Sequence, residues 1–382
     1  MRKFTGSVLI LLFVFLSGFF FVNDFGLIDI QKSAIVLGVG IDRAGENFTI
    51  TAQLAIPQSS DQGGKTSSVE VSGTGKTVGE ALTAINATTG WYPKLTFCNL
   101  IVLGESLVKD DAYAGLDYFL RDNGFSDNAT LVTCTTSAKE FLSAGTPTHD
   151  ISTLAIEKVL SREGMLSGVV APVNLKEFSI GYYGSSRSGY LPLAEKLEQE
   201  NGASQSDDQL QGGEEKTKFL FDATKTALFY KGKKVGTMSP EQTLTYNVLS
   251  SPIRVVAFPV EHKGISYTLG FRHAKPSLSV SMREGKLSFD VSVEVRALML
   301  DSDASNSFEN IARSSEASRA IIDSANEQFT EKIVSLIELS RESKCDLFGV
   351  ADLAQKKFPK RKLGEEYLKE MLYSVKVDVK AL

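Results

Sequence analysis

The 382-residue sequence predicts an α+β protein: multidomain, with mixed or antiparallel sheets, packed helices and one N-terminal transmembrane or signal helix. Three observations carry this. Runs such as Phe48–Ile56 and Leu287–Leu298 alternate apolar and polar residues, the period of half-buried strands. Runs such as Thr77–Asn86 and Ser307–Ser343 carry the helical period, and the two kinds do not follow a regular βαβ repeat. The stretch Phe4–Val22 carries no charge at all.

That stretch, FTGSVLILLFVFLSGFFFV, is preceded by Arg2 and Lys3 and followed by Asn23 and Asp24. A helix of this length extends about 28 Å, close to the hydrocarbon thickness of a bilayer. Basic residues ahead of it orient the N-terminus inward and the rest of the chain outward. An uncleaved anchor is the leading reading; a cleaved signal and a buried soluble helix are the alternatives. Leu16-Ser17-Gly18 resembles the front of a lipoprotein box, but Phe19 stands where the lipid-accepting cysteine belongs, and the first cysteine is Cys98.

With 42% hydrophobic and 23% charged residues the chain has material for packed cores, so disorder is not the default. A net charge of −5 argues against nucleic acid as a partner. Cys98, Cys134 and Cys345 are too few and too scattered for a disulfide framework or a zinc site, and Cys98 and Cys134, in strand-like runs, read as small buried apolar residues.

In chain order, Ala34–Arg43 and Phe48–Ile56 form a hairpin around Ala44-Gly45-Glu46-Asn47, and Val69–Gly73 is a short strand. Thr77–Asn86 is a helix with Val78, Ala81, Leu82 and Ile85 on one face. Leu95–Leu103 reads as one continuous apolar strand, Tyr113–Arg121 as a helix, Ala129–Thr135 as a strand and Ser137–Leu142 as a short helix. Helical patterns follow at Ile151–Ser161 and Leu175–Tyr182, then a strand at Gly189–Leu197. The polar, Gly/Ser/Gln-rich stretch Glu198–Thr217 cannot bury enough surface to fold alone.

The predicted organisation is therefore an anchor or signal segment at 1–26, an N-terminal domain at 27–197, a linker or loop at 198–217 and a C-terminal α+β domain at 218–382. In that last part Phe219–Phe221 and Ala227–Tyr230 read as strands, and Ser239-Pro240-Glu241-Gln242 carries the capping-box signature of a helix start. Arg254–Val260, Ser266–Arg272, Leu278–Arg283 and Leu287–Leu298 read as antiparallel strands. A long helix, Ser307–Ser343, has Ile311, Ile322, Phe329, Ile333 and Leu336 on its stripe. Helices at Asp346–Phe358 and Leu363–Leu372 and a strand at Ser374–Leu382 close the chain.

Several motifs invite chemistry. Gly73-Thr-Gly75-Lys76-Thr77 opens like a phosphate loop, but Glu70 occupies the place of its first glycine, and a strand-to-helix turn explains the run better. Gly38-Val39-Gly40 lacks the third glycine of a dinucleotide fingerprint, having Arg43 there, and reads as close backbone packing. His149, His262 and His273 are isolated and show no metal-ligand spacing. Asp110-Asp111 and Asp207-Asp208 are paired acids in loop-like segments. No catalytic, cofactor-binding or metal-binding residue set emerges, and no cofactor is implied.

Taken together, Ala34-Ile-Val-Leu-Gly-Val-Gly-Ile-Asp42, Val71-Ser-Gly-Thr-Gly-Lys-Thr-Val-Gly-Glu-Ala-Leu82, Leu100-Ile-Val-Leu-Gly-Glu105, Phe119-Leu-Arg-Asp122 and Ser137-Ala-Lys-Glu140 resemble the Ger(x)C family, the C subunits of nutrient germinant receptors in endospore-forming bacteria. Ala227–Gly236, Ser239-Pro-Glu241, Cys345-Asp-Leu-Phe-Gly349 and Lys357-Phe-Pro359 extend the resemblance to the C-terminal half. It spans about residues 29–382. It implies a non-enzymatic, multidomain protein on the outer face of the spore inner membrane, acting with integral-membrane partner subunits of A and B type. Family members are typically lipoproteins; this chain departs in having no cysteine near Phe19 or Asp24, and a transmembrane helix would replace the lipid. The alternative function is a membrane-anchored hydrolase or ligand-binding protein of the cell envelope.

Overall fold

A computed structural model describes residues 12–15, 33–56, 67–147, 149, 151–161, 163–198, 219–250, 255–303 and 315–382. Most of the Phe4–Val22 run lies outside these residues, and among the described residues no helix is long and apolar enough to cross a membrane.

The first hairpin joins β1 (Ser33–Ala44) to β2 (Asn47–Ile56), where Gly45 at φ 61° supplies the positive φ that a two-residue connection requires. β3 (Ser67–Gly75) runs antiparallel to β2 and leads into α1 (Val78–Thr89). Thr77 caps α1 by accepting the Glu80 N–H at 3.1 Å, and the Glu80 carboxylate accepts the Lys76 N–H at 2.8 Å. The helix buries Val78, Ala81, Leu82 and Ile85, the face its spacing predicts.

The apolar run Leu95–Leu103 does not form one strand. It divides into a 3₁₀ turn at Leu95–Phe97 and β5 (Leu100–Leu103), with a short strand, β4 (Tyr92–Lys94), just ahead of it. Then come α2 (Glu105–Asp110), which the pattern did not reveal, α3 (Ala112–Arg121), β6 (Thr130–Cys134), α4 (Ala138–Leu142), α5 (Ser152–Val159), β7 (Val173–Asn174), α6 (Leu175–Tyr183) and β8 (Ser188–Glu198). The two short strands expected at 219–230 are one strand, β9 (Phe219–Tyr230), paired with β10 (Lys233–Met238).

The large sheet has the order β10-β9-β8-β6-β5-β1-β2-β3, with β4 beside β1 and β7 beside β6. Its centre, β1-β5-β6-β8, is parallel, and its two wings are antiparallel hairpins. Helices cover both faces. Ile101, Leu103 and Leu131 pack with residues of α1, α2, α3 and α6, while Leu100, Val102 and Val132 pack with Phe141 and Leu142 of α4 and Ile156 of α5. Cover on both sides is why Leu100–Leu103 is apolar without alternation. The stretch 198–217 falls almost wholly outside the described residues. The strands that flank it, β8 and β9, are antiparallel neighbours, so the large sheet draws residues from both sides of it.

α7 (Pro240–Ser250) starts with the expected box: the Gln242 N–H donates to Ser239 Oγ at 3.2 Å and the Ser239 N–H to Gln242 Oε1 at 3.0 Å. The second sheet contains β11 (Val255–His262), β12 (Ile265–Arg283) and β13 (Lys286–Ser302). Lys263-Gly264 and Glu284-Gly285, all at positive φ, make its two tight turns. The strands expected at 266–272 and 278–283 are one, interrupted by a bulge between Arg272 and Lys275 where His273 sits at φ 52°.

α8 (Ser315–Ser343) crosses this sheet, followed by α9 (Val350–Lys357), α10 (Tyr367–Glu370) and β14 (Leu372–Ala381), which pairs parallel to β13. The stripe on α8 is corrected by one position near its start. Ile321 is buried and Ile322 only partly so, ahead of Phe329, Ile333 and Leu336, while Ile311 lies outside the described residues. Phe329 meets Phe258 and Phe271 edge-on at 5.3 and 5.4 Å. The whole is α+β, with two sheets and packed helices, as predicted.

Candidate functional site

Two buried aspartates organise the motif residues. Asp42, near the end of β1, has one carboxylate oxygen 2.8 Å from the Ala138 N–H and the other 3.1 Å from the Lys139 N–H. It therefore seats α4 on the sheet. Gly104 passes so close that a Cβ there would lie 1.9 Å from Asp42 Oδ1, which accounts for the glycine in Leu100-Ile-Val-Leu-Gly-Glu105. Burial lifts the Asp42 pKa above its ordinary value, against the pull of the two N–H groups.

Beside it, the buried Gln53 amide donates to Glu70 Oε1 at 2.7 Å and Ser152 Oγ at 2.9 Å, and accepts from the Thr153 N–H at 3.0 Å and hydroxyl at 2.6 Å. This network pins α5 to β2 and β3. Each polar atom in it has a partner, so the burial is affordable.

Asp346 lies between the sheets. Its carboxylate accepts the Val350 and Ala351 N–H groups, each at 2.8 Å, and the Tyr367 hydroxyl at 2.8 Å, while its own N–H donates to Ser188 Oγ of β8 at 2.9 Å. Next to it the Cys345 thiol points to the Gly189 carbonyl at 3.4 Å. Leu347 and Phe348 enter the second core, where Phe348 meets Phe289 at 5.3 Å. The run Cys345-Asp-Leu-Phe-Gly349 is thus a joint between β8 and the C-terminal sheet. The Asn247 amide extends the joint by donating to the Gly168 and Val170 carbonyls at 2.8 and 3.0 Å, and Tyr190 packs edge-on to Tyr246 at 5.0 Å. Burial raises the Asp346 pKa, with the Ala351, Tyr367 and Val350 hydrogen bonds opposing it.

The residues singled out in the sequence are not brought together. His149 is exposed beside Thr146; His262 bonds Ser324 at 2.7 Å; His273 sits at the β12 bulge, at the opposite end of the β11–β12 ladder from His262. Asp110 faces Arg43 at 3.7 Å whereas Asp111 caps α3 through the Tyr113 N–H at 2.9 Å, so the two acids do not converge. Asp207 and Asp208 lie outside the described residues. Cys98, Cys134 and Cys345 are buried, and burial pushes each thiol up to about 12.

Gly73 and Gly75 admit α1 onto β3, since a Cβ at Gly73 would lie 2.2 Å from the Ala81 carbonyl. Gly38 makes room in the same way for Thr153. Among the described residues no three His, Cys, Asp or Glu side chains gather where they could hold a metal. A shallow notch lined by Phe178, Tyr182, Arg187, Ser188, Gly189, Phe229 and Gly232 has no enclosed room for a small molecule. The sequence reading missed Gln53 and the seats of Asp42 and Asp346; the nearest signal was that Asp42 ends one motif-rich run and Asp346 stands near the start of another.

These motifs are used for packing and for joining one sheet to the other, as in a structural or interaction protein. The spore germination protein N-terminal domain matches residues 27–196, and the spore germination B3/GerAC-like C-terminal domain matches residues 224–381. The chain belongs to this family, the Ger(x)C spore germination proteins. A crystal structure of the GerBC protein is similar in fold, with a TM-score of 0.55 and 17% identity over 90% of this chain and 97% of that one. No curated protein sequence matches the chain.

Proposed function

We propose that this chain is a membrane-tethered, non-enzymatic subunit of a nutrient germinant receptor. It acts through contacts with integral-membrane partner subunits at the outer face of the spore inner membrane. The observation that carries this reading is the pair of family matches, in order, over residues 27–196 and 224–381. The placement of the buried polar residues supports it: Asp42, Gln53 and Asp346, with Gly104 beside Asp42, are buried and hold elements together.

Deleting residues 27–382 tests the proposal. Growth and sporulation continue, the spore response to one class of nutrient slows, and germination by agents that bypass receptors is unchanged. An undiminished response to every nutrient class contradicts it.

A further inference from the structure

From residue 33 onward, the exposed large aromatic side chains among the described residues are Trp91, Tyr92, Phe97 and Tyr183. Three of these four fall within one seven-residue stretch, at 45%, 49% and 53% exposure. Rings of that size left in water mark a contact surface rather than chance. The Trp91 backbone is held, its N–H donating to Thr89 Oγ1 at 3.2 Å, so the indole is presented from a fixed base.

The position of this patch identifies what it meets. β4 lies parallel to the first residues of β1, with Ser33 opposite Tyr92 and Ala34 opposite Pro93. The aromatic stretch is therefore at the end of the large sheet where the chain enters it. The uncharged run Phe4–Val22 ends eleven residues before Ser33, and eleven residues span at most about 40 Å. A tether there keeps this end of the sheet near the bilayer. The charge pattern agrees. Between Glu80 and Glu105 the chain carries no acidic residue, and Lys94 is its one charge. Trp91 and Tyr92, rings with an apolar body and a polar edge on a stretch whose one charge is a lysine, suit the headgroup layer of an anionic bilayer.

We propose that Trp91, Tyr92 and Phe97 rest in the interfacial layer of the membrane, so that the large sheet sits with the β1 entry end down and the Asp346 joint is held in a defined orientation above the lipid. This rests on the tethered reading of Phe4–Val22. The patch adds orientation to the tether, because a single point of attachment does not by itself fix which face of the domain meets the lipid.

Trp91 is the sole tryptophan of the chain and reports on its own surroundings. The full chain is reconstituted into vesicles of phosphatidylcholine and phosphatidylglycerol, with flotation to confirm attachment. Trp91 emission is read with lipids brominated close to the headgroup and with aqueous acrylamide. The expected result is a blue-shifted emission, quenching by the brominated lipid of at least twofold, and several-fold protection from acrylamide. Moving the reporter with W91F/F97W preserves the quenching, and moving it with W91F/Y183W abolishes it. A chain that floats while Trp91 stays as open to acrylamide as free tryptophan and ignores the brominated lipid overturns the orientation but leaves the tether. Equal quenching at position 183 also overturns it. A chain that does not float overturns both.

Discussion

Asp42 and Asp346 are the same device used in two places. Each is a buried carboxylate seated on the backbone N–H groups of a following short helix. Asp42 works inside one layer, fixing α4 to the large sheet that contains it. Asp346 adds the Tyr367 hydroxyl and a bond from its own N–H to Ser188, and so ties the C-terminal sheet to β8 of the large one. The difference separates holding a domain together from holding two sheets in register. In a protein whose proposed work is contact with partners, the second role sets how its faces are presented.

The largest effect should come from Asp346→Ala. It strands three donors at the joint, the Val350 and Ala351 N–H groups and the Tyr367 hydroxyl, and leaves only the backbone bond to Ser188, which is expected to cost about 3 kcal/mol. Denaturant unfolding should then separate into two transitions, with the Cys345 thiol reacting before Cys98 and Cys134. A single coincident transition at the wild-type midpoint would show that the joint is held elsewhere.

Gly104→Ala places a Cβ against Asp42 and should cost about 2 kcal/mol. The double variant with Asp42→Ala should lose less than the sum of the singles, because the clash goes with the carboxylate. Strict additivity in a double-mutant cycle would deny the contact.

A smaller effect follows from titration. Burial raises both carboxyls above the ordinary 3.8. The native state therefore holds protons that the unfolded chain has released, and the stability these groups contribute is complete below pH 3.8 and is lost as pH rises through their folded pKa values. Asp346→Asn removes its share, so the wild-type advantage over that variant should shrink with rising pH, as measured by denaturant midpoints between pH 3 and 6. An advantage that grows with pH would reverse the assignment.

The smallest effect concerns chain continuity. Cutting within 202–216, the proposed linker, should leave both fragments together on a sizing column and apart only on a denaturing gel, because β9 pairs with β8 across the cut and β10 with β9. Fragments that part under native conditions would show that the pairing is weak.

Much of the fold was legible because local patterns carried it. Leu287–Leu298 alternates since one face enters the second core, and the Ser239–Gln242 box announces its helix within four residues. What was not legible depends on distant neighbours. The run Leu95–Leu103 is uniformly apolar, so periodicity could not show that Leu95–Phe97 turns before the strand begins. The parallel centre of the large sheet, and β14 lying parallel to β13, are pairings between strands far apart in sequence. The seat of Asp42 is filled by N–H groups 96 and 97 residues away, which no local motif encodes. Asp346 is the partial exception: its helix follows directly, but the Ser188 bond lies 158 residues back.

The most direct measurement is recovery of the full chain from detergent-solubilised spore inner membranes through a C-terminal tag, wild type beside the triple variant H149A/H262A/H273A. The account predicts that multi-span membrane subunits are recovered with both, in equal amounts, and that both restore the nutrient response of a deletion strain. Recovery of the chain alone, or a folded triple variant that cannot restore the response, would contradict a subunit that works by contact rather than by chemistry.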